Sequence, residues 1–251
     1  MRNLSKTLFI AIIVLGLVSA WTSAYASDFR VLFGETETER ESQLLESLKN
    51  SGQATALVRS LGASIALPRV LTIQFGAKRG AIYDPESATI HIPYSFAFEL
   101  VGSEGEMLEE QALVAAIGVL TFTLYHEISH ALFDLLDLGP LADEEEAADA
   151  LAAVLAIEFG HAGSTLVAAT TVLHTRQNTV DAAGTSGGTQ RIMSSGRYRR
   201  LMCWLAGSEP EHLSEVAAHA GIPVQSLESC PSQYQELRTS LLTWLEPHLI
   251  R

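Results

Sequence analysis

A run of apolar residues, Ala112 to Tyr125, passes without a break into His126-Glu127-Ile128-Ser129-His130, and nothing else in this chain limits its folding choices as much. Apolar nearly all round, the run predicts either a helix buried on every side or a membrane span. At about 14 residues it is shorter than the roughly 20 that a span requires, so a core helix is expected. Polar His and Glu residues at the end of such a helix need a reason, because buried charge must be paired or coordinate a metal.

The spacing supplies that reason. On a helix, positions i and i+4 lie on one face one turn apart, so the imidazoles of His126 and His130 can reach one Zn²⁺ at about 2.0–2.1 Å. Glu127, beside them, is free to act as general base toward an attacking water. Catalytic zinc commonly takes three protein ligands, so a third is sought. The extended His form of the motif would need Gly at 133 and His at 136, where the chain has Phe133 and Leu136. Asp134 and Asp137 are read as lying on the motif helix itself, Asp134 as a solvated or supporting carboxylate rather than a ligand.

Asp143-Glu144-Glu145-Glu146-Ala147-Ala148-Asp149 is the better source. A short connection, Gly139 to Ala142, lets a second helix fold back and bring its first turn to the metal. Acidic residues at a helix start are also what the macrodipole favours, which leaves residues 144–146 open as ligands. Glu145 is singled out by Asp149, one turn on along the same face, which could accept a hydrogen bond from the free N–H of a ligand His.

Around this pair of helices the pattern is mixed. Phe29–Phe33, Leu67–Phe75 (through its Leu71/Ile73/Phe75 alternation), Ala81–Tyr83 and Thr89–Ile92 read as short extended pieces, with a turn at Asp84–Ser87. Pro93 predicts that the fourth piece is an edge strand or stops there. Glu41 to Leu61 reads as helices broken at Ser51-Gly52. Ser103 and Glu106 have capping-box spacing before the apolar helix, for which Gly139-Pro140 is the expected stop. Helices are further expected from Asp143 to Phe159 (closed by Gly160 and Gly163), Leu166 to His174, Arg197 to Leu205 (ended by Gly207), Pro210 to Ala220 and Ser232 to Trp244, with Gly184–Gly188 a loop.

Arg2 and Lys6, the apolar Leu8–Ala20 and the small residues of Ala24-Tyr25-Ala26 predict a signal peptide, residues 1–26, cleaved before Ser27. The expected mature chain, 27–251, suits one domain, with an α/β lobe over 27–138 and a helical lobe over 139–251. Its location would be periplasmic or secreted, with no stable membrane insertion after cleavage. The formal charge of −13 becomes about −15 once the leader's two basic residues are removed, which argues against nucleic acid or anionic lipid as partners. In an oxidising compartment the only two cysteines, Cys203 and Cys230, are expected to form one disulfide.

The His126–His130 motif followed by Glu145 and Asp149 resembles the gluzincin metallopeptidases, in which H-E-x-x-H precedes a Glu-x-x-x-Asp helix. More closely, the chain is similar to a family of uncharacterised bacterial proteins grouped as metallopeptidases. That likeness runs through His126–Leu132, Asp134–Leu138, Glu144–Asp149, Ala81–Glu86 and Arg197–Trp204 with Gly207. It implies an α+β, zincin-like fold, a small β-sheet packed on the motif helix with a mainly helical C-terminal lobe. It also implies zinc ligation by His126, His130 and Glu145, with Glu127 as base. Relatives often carry a Cys pair where this chain has Phe75 and Pro93, and an acidic-His segment where it has Gly187–Arg191.

The expected function is therefore hydrolysis of a peptide or protein substrate. The competing reading is an exported zinc binder or pseudo-peptidase acting through protein contacts. Tyr198, Arg191 and His174 are candidates to stabilise an oxyanion by position alone. His161, beside the Gly160 break, reads as a helix-end residue and His91 as an exposed polar position in a strand, while His212, His219 and His248 have no ligand spacing. The Ala81–Tyr83 and Thr89–Ile92 segments could take an extended peptide as an added strand, or form a plain hairpin.

Overall fold

The computed structural model describes residues 28–78, 80–101, 109–139, 143–159, 163–182, 193–219 and 222–250. The expected leader, the Ser103–Glu106 cap, Pro140, Gly160, His161, the Gly184–Gly188 loop and Arg191 lie outside them.

Strand β1 (Phe29–Phe33) leads through α1 (Glu39–Ser51) and α2 (Gln53–Ser64) to β2 (Leu71–Phe75), and β3 (Ile82–Asp84) turns back into β4 (Thr89–Ile92). The four form one sheet in the order β1-β2-β4-β3, parallel except for β3, which runs antiparallel to β4. Alternation places Leu71, Ile73 and Phe75 on the same buried side as Ile90 and Ile92, giving the sheet one apolar face for the helices. Thr89–Ile92 is thus an inner strand, not an edge. It pairs on both sides and simply ends where Pro93 withholds its N–H, which is the other outcome that proline allowed. The edge role passes to β3.

Directly after Pro93 comes a helix the sequence pattern concealed, α3 (Tyr94–Val101). Its buried positions Tyr94, Ala97 and Leu100 have helical spacing, but the segment is short and rich in aromatics that equally favour strands. Tyr94 packs under the turn at Gly76, where φ is 74° and a Cβ would come within 2.7 Å of the tyrosine ring, so only glycine fits.

The apolar run becomes α4 (Glu109–Leu135), which extends through the whole His-Glu-x-x-His segment. It is long and apolar enough to cross a membrane by length and composition. Here that surface is covered by α3, by the later helices α5 (Glu144–Glu158) and α6 (Gly163–Ala182), and by the β3–β4 end of the sheet. Ala116, Val119, Leu120, Ile128, Ala131 and Leu132 are completely or almost completely buried.

Its end differs from the expected Gly139-Pro140 stop. The helix closes at Leu135, and Asp137 takes the left-handed conformation at φ 50°. The Leu138 N–H donates to the Phe133 carbonyl at 3.1 Å and the Asp137 N–H to Asp134 at 3.3 Å, a Schellman-type closure with aspartate where glycine is usual. Asp137 is therefore beyond the helix rather than on it. Asp143 then caps α5, accepting from the Glu146 N–H at 3.0 Å. Gly163, expected to close that helix, begins α6 instead.

The remaining helices are α7 (Ser195–Ser208), α8 (Pro210–His219), α9 (Val224–Leu227) and α10 (Cys230–Leu245), with a short 3₁₀ turn at Glu246–His248. Cys203 on α7 and Cys230 at the start of α10 are joined in a disulfide, which fits an oxidising environment. Gly207 does not stop α7 but lies inside it. A Cβ there would overlap the Cys230 carbonyl and come within 3.0 Å of the Pro231 nitrogen, so the missing side chain lets the disulfide-linked helices approach. Gly207→Ala is expected to lower stability by roughly 1–3 kcal/mol, the usual cost of overpacking, in urea unfolding with the disulfide intact. An unchanged midpoint would mean that this contact is loose.

Candidate metal centre

The last turns of α4 and the first turns of α5 meet over one face of a cleft of about 850 Å³. His126, Glu127, His130 and Glu145 all line it, together with Ala81, Ile82 and Tyr83 of the β3 segment.

Helical geometry brings the two imidazoles together as the spacing requires. His126 Nε2 and His130 Nε2 lie 3.1 Å apart. Across from them, Glu145 places Oε2 3.5 Å from His126 Nε2 and Oε1 3.6 Å from His130 Nε2. Ligands about 2.0–2.1 Å from a tetrahedral zinc stand about 3.3 Å from each other, so this triangle has the right size. Among the described residues, these three form a group able to hold a metal ion. The donor set, two neutral-capable imidazoles and one carboxylate, suits a borderline divalent cation better than the all-oxygen cages of calcium or magnesium.

Each imidazole is held from behind. His126 Nδ1 lies 3.0 Å from Asp149 Oδ1, and His130 Nδ1 lies 3.0 Å from Glu144 Oε1. A carboxylate at Nδ1 favours the proton there and turns the Nε2 lone pair toward the cleft. Asp149 is 2 % exposed and receives a further pair of bonds from Arg197, Nε to Oδ2 at 2.6 Å and Nη2 to Oδ1 at 2.8 Å. Arg197 also places Nη1 3.5 Å from Glu145 Oε2, and Arg200 pairs with Glu146 at 2.9 Å, so α7 fixes the start of α5.

Glu127 points elsewhere. Its Oε2 accepts the backbone N–H of Tyr83 at 2.8 Å, which ties the carboxylate to the edge strand rather than to the His126–His130–Glu145 triangle. The Tyr83 hydroxyl in turn donates to Asp134 at 2.7 Å, and Asp134 is an exposed rim residue outside the triangle.

The charges follow from these contacts. Burial alone would push the His126 imidazole down, but its bonds to Asp149 and Glu145 and the nearby carboxylate charges outweigh that and raise its pKa to about 9. Burial raises Glu127 above the ordinary carboxylate range, an effect only partly offset by the two histidines and the Tyr83 N–H. Glu145 is lowered, chiefly by its bond to His126. Asp149 would be raised by burial, but Arg197 and His126 reverse the sign and keep it ionised.

Other expectations fall differently. Tyr198 and His174 stack on each other, their ring centroids 4.2 Å apart, while their neighbours Arg197 and Leu173 line the cleft. His91 is half-buried in β4, registered with Ile82. The sequence pattern pointed to neither Arg197 as the partner of Asp149 nor Glu144 as the partner of His130. The first pairing joins residues 48 apart, which no local spacing can reveal.

A family described as "Putative metallopeptidase" matches residues 33–245, and the chain belongs to it. No curated protein matches the chain, nor does any solved structure.

A cation entering this site must displace the His126 proton. In the metal-free protein that proton favours the fold fully below about 6.5, the unfolded value, and the contribution fades as pH rises through about 9. Metal binding has the opposite sign. Apparent Zn²⁺ affinity is expected to rise by about tenfold per pH unit between 7 and 9 and then to flatten, with proton release measurable by calorimetry in buffers of different ionisation enthalpy. Affinity independent of pH over that range would contradict the assignment of His126.

Proposed function

We propose, from membership of this metallopeptidase family, that the protein is an exported zinc peptidase of the gluzincin type, which hydrolyses peptide bonds with Glu127 as general base. The observation that carries the reading is the division of labour at the cleft. Three side chains converge at zinc-ligand spacing, while the one carboxylate between the histidines in sequence is held off them by the Tyr83 N–H. A site serving structure alone would have no use for that fourth group.

His126, His130 and Glu145 would hold the zinc, leaving one position of a tetrahedral shell open. Zinc held there would supply a Lewis acid for a carbonyl and a water. Glu127 would take a proton from the attacking water as its oxygen bonds to the carbonyl carbon, and return that proton to the amine as the C–N bond breaks. A carboxylate raised by burial suits both halves of that transfer, since its proton affinity lies closer to neutrality. Asp149, locked by Arg197, keeps His126 in the ligating tautomer.

The substrate is proposed to lie along β3. Among the described residues this strand pairs only with β4, its far edge borders the cleft, and Tyr83 already turns its N–H to that side. An extended peptide could add there as a further strand. The zincin-like fold and periplasmic or secreted location belong to the same proposal. Support comes from the small sheet beside the motif helix and from the Cys203–Cys230 disulfide.

Glu127→Gln is the deciding variant. Cleavage of a broad peptide library, read by mass spectrometry, is expected to fall by about 10²- to 10⁴-fold while bound zinc per chain is unchanged. Undiminished cleavage would remove Glu127 from the reaction. Zinc bound with no cleavage in the wild type would favour the non-catalytic binder.

A further inference from the structure

A second cavity lies behind the metal centre, on the opposite side of α4. Residues turn by about 100° each along a helix. Phe122, Thr123, His126, Glu127 and His130 therefore share one face, the one lining the cleft, and Leu120, Thr121, Leu124 and Tyr125 share the other. The second face looks into a space of about 390 Å³ bounded also by Leu48, α2 and Phe75.

The cavity is graded. Its floor is formed by Leu48, Ala54, Leu57, Phe75, Leu120, Leu124 and Tyr125, all buried. The outer lining, from Gln53, Ala56, Ser60, Thr121, Phe159 and Thr165, is exposed or half-buried and mostly polar. Among the described residues, no Asp, Glu, Lys, Arg or His lines it. The Ser60 and Thr121 hydroxyls already donate to the carbonyls of Phe159 and Ile117. Tyr125 is different. Its side chain is 2 % exposed, yet its phenol has no hydrogen bond among the described residues. With no partner among those residues, that hydroxyl is left to a water or a ligand in the cavity.

The space is open to solvent on the side of this rim and has a buried, apolar floor. An apolar cavity of about 150 Å³ accepts benzene, so this one has room for roughly 15 non-hydrogen atoms. The uncharged lining would leave an ionised ligand unpaired, whereas a neutral molecule meets no such penalty.

We propose that this cavity binds a small, uncharged, mainly apolar molecule carrying one hydrogen-bond acceptor, such as a carbonyl, which receives the Tyr125 hydroxyl. The inference does not depend on peptidase activity, because among the described residues the cavity shares no lining residue with the cleft.

The neutral naphthalene ketone prodan, whose emission reports both polarity and hydrogen bonding to its carbonyl, is a suitable probe. Titration of the protein is expected to give saturable binding of one probe per chain with blue-shifted emission. Tyr125→Phe is expected to weaken it about threefold to tenfold, the loss of a single hydrogen bond. Leu57→Trp, which fills the floor, is expected to weaken it more than tenfold. Ala56→Trp, at the exposed rim, tests the same blockage without disturbing the core, and circular dichroism establishes that each variant is folded. The proposal is overturned by an absence of saturable binding. It is equally overturned if Ala56→Trp and Leu57→Trp, both folded, bind prodan as the wild type does.

Discussion

Asp149 is an ionised carboxylate with almost no access to water, and the arrangement of three helices follows from how it is paired. Arg197 on α7 grips it with two nitrogens, and His126 on α4 meets it from the other side. Isolated, such a charge would be prohibitively costly to bury, and removing one partner of a buried pair costs about 3–5 kcal/mol. The three side chains therefore hold α4, α5 and α7 at one mutual position. The same contacts aim His126 Nε2 at His130 and Glu145. Fold and site are set by one interaction network, with the apolar walls of α4 and α5 making its surroundings dry enough for the pairing to matter.

The sheet contributes the other half of the arrangement. Its apolar face anchors α4, and the antiparallel β3 brings a backbone donor, the Tyr83 N–H, to Glu127. Without that donor the carboxylate would be free to swing toward His126 and His130. With it, Glu127 stands beside the triangle but outside it.

Much of this was legible in the sequence because it is local. The His126–His130 face and the Glu145–Asp149 pair are both set by helical periodicity over a few residues. The strand alternation at Leu71, Ile73 and Phe75 is of the same kind. Pairings that cross the chain were not legible. Nothing near Arg197 indicates that it meets Asp149, and nothing near Tyr83 indicates that its N–H meets Glu127. Helix α3 was hidden by its aromatic composition, and Gly207 was misread because glycine signals a stop and a close approach alike. Asp137 illustrates the reverse case: an ordinary aspartate does the work at the end of α4 that the following glycine was expected to do.

His126, His130 and Glu145 form one candidate coordination sphere, and X-ray absorption spectroscopy of the zinc-loaded protein reads it directly. The expected spectrum has a four-coordinate nitrogen and oxygen shell at about 2.0–2.1 Å with the outer-shell scattering of two imidazoles. It should lose one imidazole in His130→Ala. A shell containing sulfur at about 2.3 Å, six oxygens, or a spectrum indifferent to His130 would contradict it.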